Sequence, residues 1–352
     1  MAIRLKPLHE QVIVITGASS GIGLATACAA AKRGAKVVLT ARDEETLGEV
    51  ARQIGDSGGE TAYVAADVAE REQLVHVADV AVERFGGFDT WVNNAGVGLY
   101  SRLDEASDED HRRLFDTNFW GAVNGSLIAI EHLRTRGGAV INVGSIASDM
   151  AIPYLGMYSA SKHALRGFTD ALRLELERDD APISITLIKP TSINTPFPHH
   201  GRNYMDREPQ LPPPVYPPEE VAEAILHAAT HPVRDLYIGG SGRIMTALAW
   251  RAPRTMDRIS ENIMAEQQFR DEPPRDPTGA LWEPGYHGQI HGDQPGHVCG
   301  SSAYTRAAMH PAIASATAGL AIAMGAAATA WLLRDESQAH WPRRRRSHWL
   351  PR

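Results

Sequence analysis

Cysteine is nearly missing from this chain. Cys28 and Cys299 are the only two in 352 residues, which excludes a disulfide framework and any zinc site built from clustered thiols. An excess of basic charge is missing too. The chain has 35 Lys and Arg against 42 Asp and Glu, a net charge of −7, which argues against nucleic acid as a partner. Met1 to Glu10 lacks the apolar run of a secretory signal, so the globular part is expected in the cytoplasm. His199-His200 comes with no carboxylate or Cys set, so solvated loop residues are expected there and no metal is. What is present is the balance of a packed soluble core, with 43% hydrophobic and 22% charged residues. The length allows one large or two small domains.

Gln11 to Thr16 is a continuous apolar run, as a parallel strand buried on both faces would be. It ends in Gly17-Ala18-Ser19-Ser20-Gly21-Ile22-Gly23. An Ala-rich helical stretch then runs to a stop at Gly34. A strand, a Gly-rich turn and a helix form half of a dinucleotide-binding unit. Its backbone N–H groups and helix N-terminus suit a pyrophosphate. The second strand, Ala35–Ala41, ends at Arg42-Asp43. An acidic residue near this point binds the ribose hydroxyls in NAD-preferring sites, whereas a guanidinium suits a 2′-phosphate. NADP(H) is therefore expected, with a solvated Arg42 and a ribose-binding Asp43 as the alternative.

Thr61–Ala66 reads as the third strand. Asp67 follows it, either reaching the adenine amino group or capping the helix that begins near Glu70. Phe88–Val92 is the fourth strand, closed by Asn93-Asn94-Ala95-Gly96. Ser107 to Arg134 reads as a helix with Asn118 inside it. Asn is a mediocre helix former, so Asn118 is expected to bond another helix or to hold a water. Ala139–Gly144 is the fifth strand, with Ser145 at its end. Tyr158 opens the next helix, and Lys162 stands one turn on, on the same face. A free phenol has a pKa of about 10. A nearby ammonium lowers it, which makes the pair a proton carrier near neutral pH.

Taken together, Thr16–Gly23, Asn93–Gly96, Asn118, Ser145 and Tyr158-x-x-x-Lys162 resemble the short-chain dehydrogenase/reductase family in residue type, order and spacing. The resemblance covers roughly residues 11–240. It implies a doubly wound α/β domain with a seven-stranded parallel sheet in the order 3-2-1-4-5-6-7. Tyr158 would be the general acid–base. Lys162 would lower its pKa and hold the nicotinamide ribose. Ser145 would orient the substrate oxygen, and Asn118 would complete the set through a water. Gly17, Ser19, Ser20, Gly21, Ile22, Gly23 and Arg42 would hold the pyrophosphate and adenosine end. Asp67, Val68, Asn94, Ala95 and Gly96 would line the adenine and adjoining ribose. Beyond the sixth strand, Ile183–Ile188, the residues Pro190, Ile193 and Thr195 would meet the carboxamide end. Thr191 stands where the family usually has Gly, which puts the backbone there in question. Homo-oligomers through the helices carrying Asn118 and Tyr158 are also implied.

Residues 197–218 are Pro- and His-rich, too long and irregular for a connector, and read as a lid over the substrate. The division expected is 1–240 catalytic domain, 241–300 amphipathic and Pro/Gly-rich extension, and 301–352 Ala-rich helix with a basic tail. Helices broken at Pro253 are expected within 242–270. Residues 312–333 carry no charge and span roughly 33 Å as helix, against a hydrocarbon core of about 30 Å. They are a membrane candidate, weakened by their Ala content. The alternative is a helix packed on a partner. A single span would also part the basic tail from a cytoplasmic catalytic domain. The chain therefore reads as an NADP(H)-dependent oxidoreductase interconverting an alcohol and a ketone or aldehyde, on a lipophilic small molecule. The other reading is an NADP(H)-binding scaffold or redox sensor of the same fold.

Overall fold

In the computed structural model, which describes residues 3–285, 288–311 and 314, the first apolar run is strand β1 (Val12–Thr16), and each of its residues is buried. It lies between β2 (Lys36–Ala41) and β4 (Thr90–Asn93), parallel to both. With β3 (Thr61–Ala65), β5 (Gly138–Val143), β6 (Ile183–Pro190) and β7 (Asp235–Ile238) it forms a seven-stranded sheet in the order β3-β2-β1-β4-β5-β6-β7. Every pairing is parallel. Strands apolar on both faces need cover on both. Helices α1 (Gly21–Lys32), α2 (Glu44–Asp56), α3 (Arg71–Phe85), α4 (Asp108–Phe115), α5 (Gly121–Arg136), α6 (Gly156–Arg178), the short α7 (Phe197–His200) and α8 (Pro218–Thr230) follow in the chain. On one face Leu74, Val77 and Ala81 of α3, Ile128 and Leu133 of α5, and Leu172 and Leu176 of α6 close over Val14, Val38, Trp91 and Val140. Helices α1, α2 and α8 cover the other face. Strand order reverses between β1 and β4, which opens a crevice at their C-terminal ends.

Three boundaries differ from expectation. Strand β4 starts at Thr90 because Asp89 is used elsewhere: its carboxylate accepts from Val12 N–H at 2.9 Å and from the Lys6 amine at 2.6 Å. The helix expected over 107–134 is split by a π-helical turn, Asp116–Trp120, in which Gly121 N–H reaches the Asp116 carbonyl five residues back. Asn118 is buried inside that turn, a kind of irregularity that tends to mark functional sites. Asp67 does not cap the next helix; Glu70 holds that position.

The extension behaves as its prolines demand. Helices α9 (Gly240–Arg251) and α10 (Pro253–Ile259) are separated at Ala252, with φ −139° and ψ 65°. A residue before proline is driven from the helical region. Among the described residues of 271–300 there is neither helix nor strand. The described residues up to Thr305 form one compact unit, from which the few described ones after it stand apart. Among the described residues no helix is long and apolar enough to cross a membrane. Residues 312–333, save Ala314, lie outside the described residues.

Candidate active site

The carboxyl ends of β1, β2, β4, β5 and β6 deliver the expected residues to one cleft of about 450 Å³. Each expected site residue lines it except Gly23 and Asn118, which stand directly behind. The floor is the Gly-rich turn. Gly17 adopts φ +64°, and a Cβ there would sit 2.8 Å from the Ala95 Cα. A Cβ on Gly23 would sit 2.0 Å from the Gly17 carbonyl oxygen and 2.6 Å from the Asn94 Nδ2. The turn thus lies flat on the end of β4 with its backbone exposed to the cleft. Asn94 fastens it, donating to the Thr16 and Gly17 carbonyls at 2.9 and 3.2 Å. Replacing Gly23 with Ala must lift the turn. Urea unfolding is expected to show a loss of about 1–3 kcal/mol, with weaker dinucleotide binding by titration.

Past β5, Ser145 caps a short 3-10 turn, Ile146–Ser148, its hydroxyl accepting from Ala147 N–H at 3.1 Å. The same hydroxyl lies close enough to the Tyr158 phenol to favour its ionisation. Tyr158 lies in the first turn of α6, its ring 5.4 Å from that of Phe197. Lys162, one turn on, donates to the Val143 carbonyl at 2.9 Å, with its Nζ 5.6 Å from the centre of the Tyr158 ring. The Asn118 side chain pairs the Val97 backbone in both directions, at 2.8 and 2.9 Å. A Cβ on Gly96 would stand 3.3 Å from Asn118 Oδ1 and 3.7 Å from Lys162 Nζ. The four expected catalytic residues are therefore brought together. The Asn118 side chain is spent on Val97, however, so any water it held would have to sit on its backbone.

The electrostatics differ from expectation. Burial pushes the Tyr158 phenol up to about 12, only partly offset by the nearby Ser145 hydroxyl. Burial also pulls Lys162 down to about 8. The amine donates to a neutral carbonyl, and loss of water governs its pKa. In this state burial opposes the acidification expected of Tyr158. Tyr158 is a proton-bearing phenol, suited to giving a proton to an oxygen that gains charge.

Further expectations meet a different arrangement. Arg42 is not free at the end of β2. Its terminal nitrogens donate to the carbonyls of Ala280, Leu281, Trp282 and Glu283 at 2.5, 3.3, 2.8 and 3.0 Å. Asp43 caps α2, accepting from the backbone N–H groups of Glu45 and Thr46. Asp67 pairs with Arg113, which also donates to the Leu281 carbonyl at 3.1 Å. His199 is no solvated residue: it joins Glu208 at 3.0 Å and Asp293 at 2.6 Å, its side chain 15% exposed. Thr191 causes no strain, because positive φ among non-glycines in the described chain occurs only at Tyr154 and Asp180. Room for its side chain comes from Gly239 and Gly242, where a Cβ would sit 2.7 and 2.2 Å from it.

Residues the sequence did not flag stand around the site. Asp149, directly after the Ser145 turn, is buried with Lys189, and Arg166 and the Tyr237 hydroxyl bond it too. These four are far apart in sequence, and no spacing betrays them. The cleft's other half is lined by Leu211, Ile244, Met245, Leu248, Met256 and Ile263. Among the described lining residues the charged ones are Arg42, Asp43, Asp67 and Lys162. The glycine turn, the N-terminus of α1 and the cleft fit a nicotinamide dinucleotide, with Gly17, Ser19, Ile22 and Asn94 placed to hold it.

The profile of a family described as short chain dehydrogenase matches residues 11–204. An uncharacterized oxidoreductase of Bacillus subtilis (strain 168), YxnA, is 44% identical over 330 residues, covering 92% of this chain and 92% of its own. The 3beta-hydroxysteroid dehydrogenase 1 of Eggerthella lenta is 36% identical over 249 residues, 70% of this chain and 87% of its own. Among solved structures, an alcohol dehydrogenase from the archaeon Thermococcus sibiricus, complexed with 5-hydroxy-NADP, superposes with a TM-score of 0.58 at 29% identity. That match covers 65% of this chain and 95% of the archaeal one. A likeness that runs through both the sheet and the tyrosine–lysine turn, and to YxnA across nearly the full length, makes this chain an oxidoreductase of the short chain dehydrogenase family.

Proposed function

We propose that the protein interconverts an alcohol and a ketone or aldehyde with NADP(H), on a lipophilic small molecule. The observation that carries the chemistry is the convergence of Ser145, Tyr158 and Lys162 on one cleft. When bound, the nicotinamide supplies or accepts the hydride. The chain's own work is to hold and move a proton. Ser145 and the Tyr158 hydroxyl are placed to grip one substrate oxygen between them. Tyr158 gives its proton to that oxygen as charge builds there. Lys162, when charged, stabilises the phenolate that remains. Asn118 fixes the loop through Val97, and with it Gly96 against the amine.

The apolar half of the cleft supports the substrate class. Its walls come from the extension and the Pro-rich segment, and they lack charge. The Eggerthella lenta relative is named for a steroid. NADP(H) is supported by two cations at the adenosine end, Arg42 and Arg113, and by the nucleotide in the archaeal structure. We place the protein in the cytoplasm. Trp120, Leu127 and Leu174, exposed on the helices around Asn118 and Tyr158, support a homo-oligomer. Residues 1–240, 241–300 and 301–352 remain the proposed functional division.

Titrations with NADPH and NADH, followed by a panel of lipophilic carbonyls, test this reading; near-equal affinity for the two nucleotides would reject the role given to Arg42. A pH profile tests the amine. Lys162 is charged below about 8 and neutral above it, while Tyr158 keeps its proton up to about 12. The rate of carbonyl reduction should therefore fall as pH rises through about 8. Lys162→Met should be slow at every pH and lack that limb. A wild-type profile flat from pH 7 to pH 9 would speak against the assignment.

A further inference from the structure

The extension does more than wall the substrate side. Residues Gly279–Gly285 and Gly288–Gly292 form a strap across the nucleotide half of the cleft, and the contacts are backbone to backbone. Gly21 N–H, at the start of α1, donates to the Gln289 carbonyl at 2.9 Å. Gly288 N–H donates to the Ser19 carbonyl at 3.0 Å, and Ala280 N–H to the His200 carbonyl at 2.8 Å. A Cβ on Gly292 would sit 2.4 Å from the Thr195 carbonyl oxygen. Asp293, just beyond, is held by Arg270, Arg275 and His199. A peptide carbonyl thus occupies the helix N-terminus that suits an anion.

Arg42 ties the near end. A guanidinium has five N–H donors. Its two terminal nitrogens, which carry four of them, are each shared by two strap carbonyls. Only the Nε–H has no strap partner among these bonds, so the fork cannot close on a phosphate while the strap is in place. A 2′-phosphate must take donors from the strap; a 2′-hydroxyl need not.

We propose that the strap is a nucleotide-responsive cover and that Arg42 is its specificity latch. Any dinucleotide displaces the strap from Ser19 and Gly21. Only one carrying a 2′-phosphate also draws Arg42 away from Ala280–Glu283. This rests on the NADP(H) reading above.

Hydrogen–deuterium exchange on the full chain tests it, free and saturated with NADPH or NADH, with calorimetry to establish saturation. Both nucleotides should speed exchange at Gly288. NADPH alone should speed it at Ala280–Glu283, by roughly ten-fold, as expected for local opening. Arg42→Ala should show fast exchange at Ala280–Glu283 without nucleotide. The same variant should lose about ten-fold or more of the NADPH-over-NADH preference, as expected for loss of a charge-assisted contact. Tight NADPH binding with strap exchange unchanged or slowed would overturn the cover and leave the NADP(H) reading intact. No binding of either nucleotide, to wild type or variant, would overturn both.

Discussion

Replacing Tyr158 with phenylalanine should slow turnover by about 10²–10⁴-fold, the usual weight of a positioned general acid. NADPH affinity should change by no more than about two-fold, since the removed atom serves chemistry and not uniform binding. The structure gives the reason for both halves. The ring packs against Phe197, and its hydroxyl lies near that of Ser145. Removing one oxygen leaves the packing in place and creates no unpaired buried charge. What disappears is a phenol held in its protonated form by burial. The observable is a single-turnover rate beside a nucleotide titration. A variant that still transfers hydride at the wild-type rate would return the protein to the scaffold or sensor reading.

The largest stability effect is expected at Asp149, a residue with no role in the reaction. Its carboxylate and the Lys189 amine stand 3.1 Å apart, both side chains 3% exposed. Arg166 and the Tyr237 hydroxyl also donate to it. The cluster joins α6, β6, β7 and the turn that carries Ser145. Asp149→Ala leaves Lys189 buried with its ring contact to Tyr237 and a hydroxyl 3.4 Å away. An uncompensated buried charge of this kind costs about 3–5 kcal/mol. Urea unfolding should show that loss, and the double variant Asp149→Ala, Lys189→Met should recover part of it. A drop of under about 1 kcal/mol would mean that water reaches the amine, against the burial seen here. Because Asp149 follows the Ser145 turn, kcat should fall with stability even in the fraction that remains folded.

The chain's local chemistry carried most of the fold. The first strand reads as an apolar run that only a sheet covered on both faces can bury, and the sheet order came from the family resemblance. The glycines from Gly17 to Gly23 announced a tight turn open to a pyrophosphate, and Pro253 announced a helix break. Each is a constraint that a residue imposes on its own neighbours. What the sequence missed shares a different cause. Arg42 stands at the expected strand end, but in this state carbonyls about 240 positions later hold its guanidinium. Lys162 was read as acidifying Tyr158, yet its partner is the Val143 carbonyl and burial governs both groups. Asn118 falls inside a π turn that has no sequence signature.

By itself, then, the order of residues determined the sheet strands, the glycine turn and the placing of Tyr158 and Lys162 on one helix face, because propensity, periodicity and i,i+4 spacing act over a few residues. Tertiary structure alone decided which charges are paired, which groups lose water, and that the Pro/Gly-rich extension lies on the nucleotide half of the cleft. Those outcomes depend on what the fold brings within about 4 Å, where desolvation and Coulomb energies are set. No local rule reaches across 240 residues to find a carbonyl.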